Sequence, residues 1–225
     1  MEQVRIVTLD FETSGPFDYS NQPIEVCLDV KEINGNNWQY KDFIKLPWRL
    51  SPRISAINNI TNDMLERYGR PIEEVFGNIR DILFDQDFLL VGHYILRFDN
   101  LFLNYFLQKF FTRRFQVQTS QCWDTCAEMR ASLLGKVFPG HVNGEIITRG
   151  QWHQSVLSMR GKYNTNTTAT LSDACRYYGV DIKEVRSSLL SYNENNFHTA
   201  PGDVMRTVAI FNRQVELLQE QQCVA

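Results

Sequence analysis

The sequence predicts an α/β domain in which helices cover the faces of a mixed β-sheet. Three observations indicate this architecture: an alternating strand at the start, a β-hairpin directly after it, and a later strand that leads into a helix. They give the order β-β-β-α-β-α, with more helices behind it. We therefore expect the hairpin to form the edge of the sheet.

The strands are indicated by residues that alternate with period two. In Val4–Glu12 every second side chain lies on the same face of the first strand. Apolar and polar residues alternate again in Ile24–Val30, and Asn34-Gly35 is a tight-turn signal before a third strand at Trp38–Leu46. A short apolar run at Phe88–Val91 indicates a fourth strand.

The helices are indicated by apolar residues at a spacing of three and four. Such a pattern begins at Pro71 and runs to Leu83, and a second one covers Phe98–Phe106. Further helices are predicted at Asp124–Leu134, Leu171–Tyr178 and Val204–Leu218. We interpret Gly135–Thr168, which is rich in Gly, Asn and Thr, as a long excursion within a single domain that spans residues 1–225.

Composition limits the class of protein. The chain has 225 residues, 43% of them hydrophobic, which is enough for one large core. The first residues show no secretory signal, and no apolar run approaches the roughly 18 residues that span a bilayer. The 5 cysteines are scattered without a CxxC pair, which argues against a disulfide framework or a zinc site. We expect a cytoplasmic protein with buried thiols that does not contact a membrane.

The net charge of −3 argues against a protein that coats nucleic acid, since such proteins usually carry a basic surplus. It is compatible with an enzyme that holds a short length of nucleic-acid backbone and uses metal ions to neutralise the rest.

Three short motifs carry acidic residues at the ends of predicted elements. Asp10 and Glu12 close the first strand on one face, Asp99 falls in the first turn of a helix, and His198 and Asp203 flank the start of the last helix. Each motif alone has a structural explanation: a solvated strand end, a favourable charge at a helix N-terminus, or a surface histidine. Two adjacent carboxylates raise each other's pKa, however, unless a cation lies between them.

Together, four carboxylates and one histidine can meet at one point if these elements are neighbours. Hard oxygen ligands suit Mg²⁺ or Mn²⁺, and two such ions about 4 Å apart can support a displacement at phosphorus. The histidine would then be the general base that takes a proton from water.

The segments DFETSG, GHYILRFD and HTAPGD, in this order, resemble the three motifs of the DEDDh family of 3′-to-5′ exonucleases. That family includes the proofreading epsilon subunit, RNase T and oligoribonuclease. The likeness extends to LSPRISAINNITNDML, WDTCAEMRASL and TLSDACRYYGV, and so covers most of the chain. It implies an RNase H-like fold with a five-stranded mixed sheet, and a single exonuclease domain.

The resemblance also implies roles for individual residues. Asp10, Glu12 and Asp203 would hold one metal ion, Asp99 would hold a second through water, and His198 would activate the attacking water. Contacts to the terminal nucleotide are implied for two short segments, one after the first motif and one after the third strand. Their residues are Thr13, Ser14, Gly15, Asn59, Ile60 and Thr61. The family more often has His-Gly-Ile where this chain has Asn58-Asn59-Ile60.

We therefore predict a metal-dependent 3′-to-5′ exonuclease that releases nucleoside monophosphates from single-stranded DNA. Trimming of RNA 3′ ends by the same residues is the first alternative, and a non-catalytic nucleic-acid-binding accessory protein is the second. A polymerase or a second copy of the chain would be its protein partner. The excursion has four Lys or Arg and one acid between Lys136 and Lys162, and its aromatic residues Phe138, Trp152 and Tyr163 suit a single strand. A solvated loop with a buried Trp152 explains the same pattern.

Overall fold

The computed structural model describes residues 4–159, 169–181 and 199–224. Its main sheet has the strand order β3-β2-β1-β4-β5. The strands are β1 (Arg5–Thr13), β2 (Pro23–Lys31), β3 (Asn37–Phe43), β4 (Phe88–Gly92) and β5 (Cys122–Asp124). The first three pair antiparallel, whereas β4 joins β1 in parallel and β5 joins β4 in parallel. The predicted five-stranded mixed sheet with the hairpin at its edge is confirmed.

Eight helices occur in the described part of the chain. They are α1 (Pro52–Asn58), α2 (Asn62–Tyr68), α3 (Ile72–Phe84), α4 (Asp99–Phe110), α5 (Thr125–Leu133), α6 (Arg149–Ser158), α7 (Leu171–Tyr178) and α8 (Ala200–Val224). A small hairpin, β6 (His141–Val142) and β7 (Glu145–Ile146), precedes α6. The predicted helices are confirmed with small changes at their ends.

One strand and two helices are not indicated by the spacing of apolar residues in the sequence. Strand β5 has only 3 residues, too few to show an alternation. Helices α1 and α2 have 7 residues each and are set by their caps, because Ser51 and Thr61 accept the Ile54 and Met64 N–H groups. The interpretation of the excursion as irregular is wrong for residues 149–158, which form α6 behind a capping box of Thr148 and Gln151.

The two faces of β1 have different neighbours. Val7, Leu9 and Phe11 lie in the main core with residues of α3 and α4. The other face of the sheet is covered by α8, where Ala200 and Val204 pack on Cys27 of β2. Because α8 covers the polar face as well, β2 is buried on both sides and its alternation does not mark a solvated face.

Cys27, Cys122, Cys126 and Cys175 are buried, as predicted. Among the described helices, none has both the length and the apolar character that a bilayer-spanning helix requires. The assignment of residues 1–225 to a single domain stays a prediction.

Candidate functional site

The site is built around the end of β1. Asp10 and Glu12 lie on the face covered by α8, because they alternate with the core residues Leu9 and Phe11. The pairing of β1 with β2 shifts between Glu12 and Thr13, so the ladder becomes irregular directly after the second acid.

The start of α8 brings Asp203 to the same place. Thr199 caps this helix: its hydroxyl accepts the Gly202 N–H at 3.3 Å and its carbonyl accepts the Asp203 N–H at 3.0 Å. Glu25 of β2 accepts the Ala200 N–H at 3.0 Å, and this buried bond ties the helix start to the sheet. Asp203 therefore lies in the first turn, as predicted, and its position relative to β1 is fixed through β2.

Asp99 is the first residue of α4 and is only 3% exposed. Its Oδ1 accepts the backbone N–H of Phe11 at 3.0 Å. Phe11 lies between Asp10 and Glu12 in the chain, so this bond holds the third carboxylate beside the first two. We call Asp10, Glu12, Asp99 and Asp203 the acid cluster.

Three members of the acid cluster have the geometry of a cation site. One carboxylate oxygen each of Asp10, Glu12 and Asp203 lies within 4.8 Å of the others. The carboxylate of Asp99 is close enough to repel the charges of Asp10 and Glu12. The structure thus brings together all four acids that the sequence singles out.

Burial and mutual repulsion act on the protonation of these groups. Burial, followed by the charges of Asp99, Glu12 and Glu25, raises the pKa of Asp10 well above its ordinary value. Burial and the charge of Glu25 raise the pKa of Glu12 to about 8. Burial raises the pKa of Asp99 to about 7, against the opposing effect of the Phe11 N–H. A divalent cation would reverse this preference for the protonated forms.

Two further charged residues belong to the site and were missed in the sequence. Glu25 stands opposite Glu12 in the β1-β2 ladder, and burial raises its pKa to about 7. Arg206, one turn after Asp203 on α8, forms an ion pair with it and is 6% exposed. The signal for Glu25 was an acid near the start of the alternating strand β2, and the signal for Arg206 was its i+3 spacing from Asp203.

His198 lies outside the described residues, so its predicted role as a base is not tested. The described chain resumes at Thr199, the residue after it.

The predicted contacts after the first motif lie in a tightly bonded loop. Thr13 donates from its hydroxyl to the Gly15 carbonyl at 2.7 Å, and Ser14 donates to the Asn21 side chain at 3.2 Å. A Cβ atom at Gly15 would approach the Asn21 side chain to 2.7 Å, so a larger residue there would displace it.

The predicted contacts after the third strand lie between α1 and α2. Asn59 has φ 59° and ends α1, while the hydroxyl of Thr61 caps α2. The side chain of Ile60 is 2% exposed and packs in the apolar cluster under these helices. Asn59 and Thr61 are thus the exposed members of the three. A nucleotide contact of these residues stays a prediction.

A second set of buried charges lies beside the acid cluster. Asp124, fully buried at the end of β5, accepts the N–H groups of Tyr94, Leu96 and Ala127 at 3.0 to 3.2 Å. The Tyr94 and Leu96 bonds fix the segment between β4 and Asp99. Asp124 was not among the predicted site residues.

His153 joins this set, although the sequence interpretation found no carboxylate pattern around it. Its Nδ1 accepts the Asp124 N–H at 3.1 Å, so the proton of the neutral ring lies on Nε2, 2.7 Å from Glu128. Glu128 also accepts from Arg149 at 3.0 and 3.1 Å. Asp124, Glu128, Arg149 and His153 form what we call the acid–histidine network.

The excursion, predicted to guide the nucleic-acid strand, supplies one of its basic residues to the acid–histidine network. Arg149, one of its four basic residues, stacks over Trp123 and Phe138 and pairs with Glu128. Trp152 is half-buried on α6, and Tyr163 lies outside the described residues. The predicted strand-guiding role is not tested.

Solved structures of an exonuclease have the same fold as this chain. Escherichia coli exonuclease I in complex with a dT13 oligonucleotide superposes with a TM-score of 0.66 at 16% identity, over 97% of this chain and 43% of that chain. A zinc-bound form of the E. coli exonuclease I complex with single-stranded DNA gives 0.67 at 15% identity, over 97% and 42%. The complex with a dA16 oligonucleotide gives 0.64 at 16% identity, over 96% and 41%.

These likenesses confirm the predicted RNase H-like fold, and at this level of identity they carry the fold alone. The chain spans about two fifths of the length of the exonuclease I chains that it matches. No family model matches the sequence, and no curated protein matches it. The chain therefore has the fold of exonuclease I, with an acid cluster at the end of its first strand.

Proposed function

We propose that this protein is a metal-dependent 3′-to-5′ exonuclease that removes nucleoside monophosphates from single-stranded DNA. The observation that carries the proposal is the convergence of Asp10, Glu12 and Asp203, within 4.8 Å of one another, in a fold shared with exonuclease I. A protein that only binds nucleic acid gains nothing from clustered, half-buried carboxylates that face a phosphate chain.

The acid cluster fits divalent cations. Its donors are carboxylate oxygens, which Mg²⁺ and Mn²⁺ prefer, and their raised pKa values indicate negative charge without enough cations nearby. Asp10, Glu12 and Asp203 would hold one ion, and Asp99 would hold a second through water. Such ions would lower the pKa of a bound water molecule and stabilise the charge on a departing 3′ oxygen.

The side chains of this protein would transfer the proton and hold the substrate. His198 would accept the proton of the attacking water on an imidazole nitrogen, a role typically worth a factor of about 10² or more. Thr13, Ser14, Gly15 and Asn59–Thr61 would hold the terminal nucleotide beside the acid cluster. Arg206 neutralises Asp203 in the metal-free protein and would have to share that carboxylate with the ion.

DNA is the preferred substrate in this proposal. One support is the likeness of LDFETSG and ITNDML to proofreading members of the DEDDh family. The other is that exonuclease I, which has the same fold, binds dT13 and dA16 oligonucleotides. Removal of nucleotides from RNA ends is the alternative, because the choice between the sugars depends on one or two contacts near the 2′ position. A polymerase partner, a homodimer and a cytoplasmic location are further predictions.

The test is incubation of the purified protein with end-labelled DNA and RNA strands in Mg²⁺, Mn²⁺ or EDTA. We expect a 5′-labelled DNA strand to give a ladder that shortens from the 3′ end, and a 3′-labelled strand to give a mononucleotide at once. EDTA should stop both reactions, and His198→Ala should slow them by about 10².

A non-catalytic accessory protein is the rival from another class. It would bind single strands but cleave neither DNA nor RNA with any divalent ion. That result would reject the proposed activity.

A further inference from the structure

We propose that an open groove next to the loop after β1, which holds the predicted nucleotide contact Ser14, binds the single strand on the 5′ side of the nucleotide to be removed. This inference rests on the proposed exonuclease function, because it extends the substrate path away from that site. The groove has a volume of about 980 Å³ and lies between the loop after β1, the segment after β3 and helices α3 and α4. Its lining includes Tyr19, Gln22, Lys45, Trp48, Phe106 and Lys109.

The groove offers ring faces for bases. Trp48 is 46% exposed and Tyr19 is 80% exposed, whereas the rings in the floor of the groove are packed in the core. Large aromatic residues that stay exposed on a folded protein can stack on bases of any sequence. Stacking is therefore available at the rim of the groove, where a flexible strand can reach it.

The groove also has the charge that a phosphate chain requires. Its charged lining residues are Lys45, Lys109 and one acid, Glu73. Lys109 is held over the rings of Tyr105, Phe106 and Phe110 at 5.4 to 5.7 Å, so its ammonium group stands above the groove floor.

The sequence around Trp48 strengthens this charge. No Asp or Glu occurs in residues 43–62, which hold Lys45, Arg49 and Arg53, although the whole chain has a net charge of −3. All three basic residues are exposed. An anionic strand with planar bases fits a positive, aromatic surface better than an apolar peptide does.

Two sets of hydrogen bonds connect the groove to the predicted nucleotide contacts. The Gln22 N–H donates to the Ser14 hydroxyl at 3.0 Å, and the Gln22 side chain donates to the Lys45 carbonyl at 3.0 Å. Asn62, the residue after Thr61, bonds both the N–H and the carbonyl of Leu50 at 2.7 and 3.2 Å. Trp48 thus lies two residues before Leu50, whose backbone is hydrogen-bonded to the residue that follows the predicted nucleotide contacts Asn59–Thr61.

If the groove binds the strand, its contribution to affinity depends on the length of the substrate. A dinucleotide fills only the acid cluster and the terminal-nucleotide contacts, whereas a long oligothymidylate also reaches the groove. Trp48→Ala should therefore weaken binding of the long strand by at least about fivefold. It should leave hydrolysis of the dinucleotide unchanged, and Trp48→Phe should recover most of the affinity because it keeps a ring.

The binding test uses fluorescence anisotropy of a labelled oligothymidylate in EDTA, where no cleavage occurs. Lys45→Ala and Lys109→Ala should each reduce the slope of log Kd against log salt by roughly 0.7. Trp38→Ala and Lys31→Ala are matched controls, because this exposed tryptophan and lysine lie near the opposite end of the sheet. Thermal unfolding checks that all variants fold.

The two proposals fail in different ways. If the wild-type protein binds the oligothymidylate through Trp48 but cleaves no strand, the exonuclease proposal fails and the groove assignment stands. If Trp48→Ala binds the long strand as tightly as the Trp38→Ala control does, another ligand occupies the groove and this inference is wrong.

Discussion

The acid cluster and the acid–histidine network both hold buried or half-buried carboxylates near the ends of strands and the starts of helices, yet their electrostatics are opposite. In the network, hydrogen bonds from His153 and Arg149 lower the pKa of Glu128 despite its burial. In the cluster, burial and neighbouring acids raise the pKa of Asp10, Glu12 and Asp99.

This difference separates carboxylates that the chain supplies with hydrogen-bond donors from carboxylates whose charge it leaves uncompensated. Asp124 has the three N–H donors that a buried carboxylate needs, supplied by its own chain. Asp99 receives the Phe11 N–H, but its carboxylate repels those of Asp10 and Glu12, and the charge of Arg206 only partly offsets the repulsion at these two acids. Raised pKa values in a group of neighbouring acids mark a candidate functional site, whereas position at a strand end alone does not.

The largest expected effect is the loss of activity when the acid cluster is reduced. Asp10→Asn should lower the cleavage rate by at least about 10³-fold, because several kcal/mol of transition-state stabilisation depend on the ion that it would hold. Initial rates on a labelled DNA strand measure this. Folding should be unaffected, since a repelled charge is removed, and thermal unfolding checks it.

Asp29→Asn is the matched control, because Asp29 lies on β2 of the same sheet and outside the cluster. Cleavage by Asp10→Asn at the rate of this control would exclude Asp10 from the site. Asp203→Ala is a less clean test, because it also leaves Arg206 buried without its ion-pair partner.

Removal of a carboxylate from the acid–histidine network should instead lower the free energy of unfolding. Asp124→Ala leaves three buried N–H groups without an acceptor, each worth about 1 to 3 kcal/mol, and we expect a loss of about 3 kcal/mol or more in the free energy of unfolding. Urea denaturation measures it. Asp81→Ala, at an exposed aspartate on α3, should change stability by less than about 0.5 kcal/mol. Equal effects of the two substitutions would remove the contrast between the two regions.

The pH dependence of stability should show the charge deficit directly. Glu25 and Asp99 have a pKa of about 7 in the folded protein and Glu12 one of about 8, above the ordinary values of 4.5, 3.8 and 4.5. Between these limits the folded state binds more protons than the unfolded state. The metal-free protein should therefore lose stability as the pH rises from about 4 to 8.

Denaturant midpoints measured across this pH range, with EDTA and with Mg²⁺, check the prediction. Mg²⁺ should flatten the decline because the cation takes the place of the bound protons. A metal-free protein whose stability rises steadily from pH 5 to pH 8 would contradict the assigned repulsion.

The smallest effect is expected at Glu25. Glu25→Gln keeps an oxygen that can accept the Ala200 N–H, so stability should change by less than about 0.5 kcal/mol, whereas Glu25→Ala leaves that N–H buried and should cost about 1 kcal/mol. Thermal unfolding distinguishes the two variants. A titration with Mn²⁺ followed by electron paramagnetic resonance should show weaker binding in Glu25→Ala only, because only that variant frees the helix start that carries Asp203. Identical Mn²⁺ affinities in both variants would show that Glu25 does not position Asp203.

The local spacing of apolar residues and the turn residues determined much of the secondary structure of this protein. The alternation of β1, the Asn34-Gly35 turn and the helical spacing of α3, α4 and α8 predicted those elements, since period and turn chemistry act within a few residues. The acidic motifs were also visible, because each lies at the end of such an element. Short elements such as β5 and α1 were not, since their caps and pairing partners decide them.

Only the tertiary structure decided which acids belong together. Asp203 is separated from Asp10 by almost the whole chain, and their meeting depends on α8 packing against the polar face of the sheet and on the Glu25 bond to its first residue. Asp99 and Asp124 look alike in the sequence, as single acids beside a helix start. One faces other acids and the other faces N–H donors, because the charge around a side chain is a sum over neighbours that come from distant parts of the chain.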